Sequence, residues 1–341
     1  MSGAAAAAGS AGFARSAGAA CLLGSALAVL IATLASACTH SSGPSTGAAR
    51  EARPARLWIG GDVFLGTGNH GALASIPAIV GGAPGIVNLE GPVGDADAAL
   101  RTNDSAGSAA VIAAPLRLLH SAAALRELRA AGVAVVGIAN NHAADAGAAG
   151  AAATLRALLS VGLQPAGGAA GPAMLMLGSL RVVITAHDLE TGVPPTLRDE
   201  LTAARRRGDA MVATFHVTGP PTYLPRPELI EAVTIALDAG AAVVAAHGTH
   251  ELARVERRGR AVIAWGLGNL AFACACTDED SGALLDVALG PDGAGDAAII
   301  PIDAGLVTGA ARAAADPALT FELLEALGST HLDRRGDRAA F

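Results

Sequence analysis

Val135–Gly147 reads Val-Val-Gly-Ile-Ala-Asn-Asn-His-Ala-Ala-Asp-Ala-Gly, and its reading decides the fold. An apolar, β-branched run ends abruptly in Asn140, Asn141 and His142, with Asp145 and Gly147 close behind. Leu125–Ala131 ahead of it and Ala148–Leu159 behind it both suit helices. A short β-branched run between two helices suits a buried strand of an α/β sheet. Two carboxamides, an imidazole and a carboxylate therefore stand at the carboxyl end of a strand, where open α/β sheets bind ligands. Taken alone, the stretch also fits a polar turn whose Asn caps the next helix.

The same design recurs outward along the chain. Leu57–Gly66 is a strand running into Gly60-Gly61-Asp62, where glycine lets the backbone turn tightly and approach a ligand. Gly85–Pro92 repeats it with Asn88 and Glu90, and Ala109–Leu128 is mostly helical. Strands Ala173–Leu177 and Arg181–Thr185 follow, then Pro194-Pro195 and Arg205-Arg206-Arg207, a solvated helix face rather than an anion site. Met211–Phe215 is a buried strand with His216 at its end. Glu228–Ala239 is a helix, and Ala241–Ala246 is a strand ending in His247-Gly248-Thr249-His250. Leu252–Arg257 and Arg260–Ala264 are antiparallel strands, and Gly266–Leu270, containing Asn269, is a turn. Gly282–Leu289 and Ala298–Ile302 finish the sheet. Beyond Gly305 strand character fades into a helix at Pro317–Leu327 and a disordered tail at Asp333–Phe341.

One internal echo links two of these units. Residues 131–142 (AGVAVVGIANNH) and 239–250 (AGAAVVAAHGTH) share six of twelve positions, the final His included. Both run from helix through Ala-Gly and a buried strand to a polar loop, which suggests two similar units facing one cleft.

The 341 residues include 23 basic ones, every one of them Arg. Without lysine, P-loop and Schiff-base chemistry are excluded. A net charge of -7 and 9 aromatic residues give no footprint for nucleic acid. Arg15 precedes the apolar Ala19–Leu34, which meets Ala35-Ser36-Ala37, so residues 1–37 read as an export signal. The junction resembles a bacterial lipoprotein lipobox with Cys38 as the acylated residue, although Ala35 stands where Leu is preferred. Cleavage after Ala37 and an uncleaved anchor are the alternatives. The expected organisation is leader 1–37, polar linker 38–54, one α/β domain at 55–305, and a C-terminal helix and tail at 306–341. Cys274 and Cys276, beside an acidic loop, read as edge-strand cysteines rather than a second metal site.

Converging carboxylate, carboxamide and imidazole groups suit a divalent ion such as Zn, Mn or Fe. The ordered motifs GDVFLG (61–66), NLEGPV (88–93), IANNHAADAG (138–147), FH (215–216), AHGTHELARVE (246–256) and WGLGNLAF (265–272) resemble the CapA family of capsule and poly-γ-glutamate synthesis proteins. That resemblance implies a four-layer α/β/β/α metallophosphoesterase-like sandwich with mixed sheets. It also implies metal ligands at Asp62, Glu90, Asn140 or Asn141, His216 and His250, with His247 a further candidate ligand. His142 would be the catalytic imidazole, Asp145 a second catalytic residue, and Asn88 and Asn269 would support the ligands. The expected protein is exported and membrane-tethered at the cell envelope, serving a polymer or its biosynthetic machinery, and hydrolytic if the metal is held. Two departures leave a one-ion or degenerate site, and a non-catalytic assembly subunit, as the alternative. His216-Val217-Thr218-Gly219-Pro220 replaces the family's His-Trp-Gly-x-Glu, and His247-Gly248-Thr249-His250 replaces His-His-Pro-His.

Overall fold

The computed structural model describes residues 55–68, 71–94, 116–273, 280–306 and 309–341. The leader, Cys38, the linker, Cys274, Cys276 and the start of the Ala109–Leu128 stretch lie outside the described residues. Residues 52–341 form one compact unit. Among the described residues, no helix is long and apolar enough to cross a membrane.

Strands β1 (Ala55–Phe64), β2 (Gly85–Leu89), β3 (Val133–Gly137) and β4 (Gln164–Ala166) lie side by side and parallel. Next in the chain come β5 (Ala173–Leu177), β6 (Leu180–Asp188), β7 (Ala210–His216), β8 (Val243–His247), β9 (Val255–Arg258) and β10 (Ala261–Ala264). These six make a second sheet in the order β5-β6-β7-β8-β10-β9, parallel at its centre and antiparallel at both edges. The chain then returns to the first sheet with β11 (Asn269–Phe272), β12 (Ser281–Gly290), β13 (Gly293–Asp303), β14 (Arg312–Ala313), β15 (Asp333–Arg335) and β16 (Arg338–Ala340). That sheet runs β15-β16-β13-β12-β1-β2-β3-β4, with β11 on β1 and β14 on β13.

Side-chain alternation along each strand builds the layers. Leu57, Ile59, Ile86 and Val135 of the first sheet pack against Val182, Ile184, Val212 and Ala245 of the second. Their neighbours Trp58, Val87, Val133 and Val136 face outward onto α2 (Ala122–Ala130) and α3 (Gly147–Ser160), which follow the short α1 (Ile76–Ile79). Val183, Met211, Ala213 and Val244 face the other way, onto α4 (Leu197–Arg205) and α5 (Pro227–Asp238). The result is the expected α/β/β/α sandwich with two mixed sheets. Each fully buried Val, Ile or Leu in these layers contributes roughly 1.5–3 kcal/mol. The echoed units become β3 and β8, one in each sheet, with their preceding helices on opposite outer faces.

Three expectations are corrected. Within Ala109–Leu128, expected to be mostly helical, the described residues 116–121 are not helical and a helix starts at Ala122, where Ser121 is extended and its hydroxyl accepts from the Ala123 and Ala124 amides. Gly266–Leu270 is not only a turn: Asn269 opens β11, which pairs in parallel with the end of β1. The tail expected to be disordered is the β15–β16 hairpin, which adds to β13 and buries Ala339. With α6 (Pro317–Ala326) it covers the inter-sheet core through Phe321, Leu324 and Leu332.

Candidate metal centre

The carboxyl ends of the parallel strands in both sheets converge, so residues distant in sequence meet in one buried cluster. Asp62 comes from β1, where the pairing with β2 and β11 slips in register. Asn88 comes from β2 and Glu90 from the turn after it. His216 ends β7 and His247 ends β8. Asp62, Glu90 and His216 are buried, and their ligand atoms lie within 4.8 Å of one another.

Hydrogen bonds hold the Asp62 carboxylate from below. Asn88 Nδ2 donates to Asp62 Oδ1 at 2.8 Å, and the Gly248 amide donates to Asp62 Oδ2 at 2.8 Å. Asn140 Nδ2 donates to Asn88 Oδ1 at 3.1 Å and to the Leu89 carbonyl at 2.8 Å, locking the two loops together. His250 has a φ of 60°, an unusual conformation for a non-glycine residue. Its Nδ1 donates to Asn269 Oδ1 at 2.9 Å and lies 3.5 Å from Asp62 Oδ2, while its Nε2 lies 3.8 Å from Glu90 Oε1. His216 Nε2 is 3.9 Å from Glu90 Oε1, and His247 Nδ1 is 3.7 Å from Asp62 Oδ1.

Charge balances within the cluster. Burial alone would raise the Asp62 pKa, but His250, His247, His216 and the Gly248 amide outweigh it and hold the carboxyl below its usual range. Burial works against a charge on His216, yet Glu90, Asp62 and Asp188 overcome it and push its pKa up. Burial dominates at His247 and brings it down to about 4, leaving the neutral imidazole that a metal requires.

The atoms present fit a divalent cation. Glu90 Oε2 and both ring nitrogens of His216 and of His247 are buried without a hydrogen-bond partner. Each such atom costs about 1–3 kcal/mol when left unpaired, and native proteins rarely tolerate several together. A cation shared with Asp62 would take a lone pair from Glu90 and one ring nitrogen of His216, whose ligand atoms converge with those of Asp62. The donor set, oxygen plus imidazole nitrogen, suits Zn, Mn or Fe.

The structure brings together Asp62, Asn88, Glu90, Asn140, His216, His247, His250 and Asn269. Asn141 Oδ1 is buried without a hydrogen-bond partner, and Asn141 is not among the described residues that hydrogen-bond within the cluster. His142 pairs with Asp145 through Nδ1 and Oδ2 at 2.8 Å, and among the described residues neither bonds to the cluster.

Both departures from the family pattern are answered locally. Gly248 stands where a second histidine is usual, with φ at 94°. A Cβ there would meet His216 Cε1 at 2.7 Å, so the amide approaches Asp62 only because the residue is glycine. The carboxylate missing after His216 has a counterpart in Asp188, whose Oδ1 lies 3.9 Å from His216 Nδ1. Sequence reasoning missed Asp188 because it ended the strand at Thr185, whereas β6 runs on through Ala186 and His187. His120 was missed as well. It is fully buried, its Nε2 donates to the Glu90 carbonyl at 3.0 Å, and burial lowers its pKa to about 4. The sequence carried no signal for it beyond a lone His beside a helix cap.

A sandwich with oxygen and imidazole groups converging at the strand ends defines a candidate metal-binding α/β/β/α protein. Residues 73–273, more than half of the chain, match the family described as bacterial capsule synthesis protein PGA_cap, and the chain belongs to that family. Glu90, His216 and His250 fall inside the matched span, and Asp62 precedes it. No curated protein matches the chain. Among solved structures, a hypothetical protein from Thermus thermophilus is 14% identical, with a TM-score of 0.49, covering 73% of this chain and 99% of its own. A candidate 5'-nucleotidase from Staphylococcus aureus is 11% identical, with a TM-score of 0.45, covering 69% and 51%. Zinc-complexed Vps29 from Entamoeba histolytica is 11% identical, with a TM-score of 0.23, covering 53% and 80%.

Proposed function

We propose that this protein is an exported, membrane-anchored hydrolase of capsule or related cell-envelope polymer synthesis, working through one divalent ion. The observation carrying the reading is the set of buried, partnerless ligand atoms on Glu90, His216 and His247 beside Asp62. Asp62, Glu90 and His216 would hold the ion, with His250 and His247 adjacent. When bound, it supplies Lewis-acid polarisation and an activated water. Asn88, backed by Asn140, and the Gly248 amide keep the Asp62 carboxylate oriented. With Nδ1 donating to Asp145, His142 presents Nε2 as the atom that takes or gives a proton. Export and anchoring rest on the leader and Cys38, and Cys38→Ser is expected to shift the protein out of the membrane fraction. A Cys38→Ser protein still wholly in that fraction would point to an uncleaved anchor instead.

A second reading, an assembly subunit that binds without turnover, is favoured by one observation. Both Asp62 oxygens already accept hydrogen bonds, one of them from a glycine amide where the family places a histidine. Hydrolysis of bis(p-nitrophenyl) phosphate by the full chain loaded with Mn or Zn separates the two. His142→Ala is expected to slow turnover by about 10²–10⁴-fold with metal content unchanged. Loss of metal in that variant would make His142 a ligand, and no turnover by the loaded wild type would favour the assembly role.

A further inference from the structure

Residues 117–121 cross all three loops that carry the first sheet's half of the centre. The Arg117 guanidinium donates to the Asp145 carbonyl, and the Leu118 amide donates to Asp145 Oδ2 at 2.6 Å, the same oxygen that pairs with His142. The His120 amide donates to the Pro92 carbonyl at 2.9 Å, and its carbonyl accepts from the Gly94 amide at 3.0 Å. The Ser121 amide and hydroxyl donate to the Gly66 and Thr67 carbonyls, in the turn after β1. Gly91 packs so closely on this strap that a Cβ there would lie 2.1 Å from the Leu118 carbonyl oxygen.

His120 is the side chain at the middle of the strap. Its Nε2–H donates to the carbonyl of Glu90 itself, and its Nδ1 is buried without a partner, which fixes the tautomer. Its ring meets Phe64 edge-on at 5.2 Å. Phe64 lies 5.8 Å from Phe272, and Phe272 meets His250 at 4.7 Å. A continuous row of rings thus joins the backbone of one candidate ligand to the side chain of another.

We infer that His120 is a positioning residue of the metal centre: its Nε2–H bond to the Glu90 carbonyl sets the turn that aims the Glu90 carboxylate. The inference rests on the metal-centre reading above. Partners that orient ligands in this way are typically worth about 10–100-fold in metal affinity.

The test compares the full chain with His120→Phe, which keeps a ring against Phe64 but donates nothing, and His120→Gln, whose amide N–H restores a donor at similar reach. Zinc affinity is read by calorimetry, and amide hydrogen exchange is followed at Glu90, Gly91, Val93 and Gly94. The expected result is a loss of about 10–100-fold in zinc affinity with faster exchange in His120→Phe, and values near wild type in His120→Gln. Wild-type affinity and exchange in His120→Phe would overturn the inference, as would equal losses in both variants. If wild type itself binds no zinc, the metal reading fails, and exchange alone decides. Faster exchange in His120→Phe but not His120→Gln would sustain positioning, and unchanged exchange would end it.

Discussion

Asp62→Ala is expected to empty the centre of metal and to weaken the fold at the same time. Asp62 is fully buried, and each of its oxygens accepts one hydrogen bond, from Asn88 Nδ2 and from the Gly248 amide. Alanine removes both acceptors and admits no water in their place, so two buried donors are stranded. Stranding costs about 1–3 kcal/mol per group, which sets a loss of about 2–4 kcal/mol in unfolding free energy after partial relaxation. The carboxylate is also a charge that holds His250, His247 and His216 around it. Without it the remaining ligands do not offset the cost of desolvating a divalent cation. Denaturant unfolding and elemental analysis check the two effects separately. A variant that keeps wild-type metal content would remove Asp62 from the ligand set.

Gly61→Ala is expected to destabilise the protein by about 3 kcal/mol, the upper end of what overpacking costs. A Cβ at residue 61 would stand 2.0 Å from the Gly268 carbonyl oxygen and 2.8 Å from its carbon. These are backbone atoms, and the same carbonyl accepts the Asp62 amide at 3.0 Å, so neither side can retreat without breaking the entry to the site. Gly60→Ala is the control. Its Cβ would meet Leu270 Cδ2 at 3.0 Å and Trp58 Cζ3 at 3.1 Å, the ends of side chains that can shift by a few tenths of an ångström. Its cost should stay under about 1.5 kcal/mol. Equal midpoints for the two variants in urea would show that the close approach of β1 to the Gly268 turn is not a constraint.

How much of this was legible depends on the range of the interactions involved. Strand-end residues such as Glu90, His216 and His247 stood out because an apolar run followed by an abrupt polar group is a local pattern. The repeated units pointed to two similar αβ units facing one cleft, and the sandwich itself followed from the family likeness. Asp188 was hidden because Ala186 and His187 prolong β6 beyond its apolar stretch. The Gly266–Leu270 turn hid β11, since only contact with β1 makes Asn269–Phe272 a strand. The Asp333–Arg335 and Arg338–Ala340 hairpin looked disordered because nearly every residue is charged or small. What orders it is the open edge of β13, whose backbone hydrogen bonds no composition reveals. Ser121 did carry a readable sign, a helix N-cap, which places a helix start just after it and marks residues 117–121 as a separate strap.

The central claim is that Asp62, Glu90 and His216 hold a divalent ion. Its most direct test is elemental analysis of the full chain after offering Mn or Zn and removing excess, with X-ray absorption to read the ligands. The predicted result is about one ion per chain in mixed nitrogen and oxygen coordination, lost in Asp62→Ala. Fewer than about 0.1 ion per wild-type chain would contradict the claim.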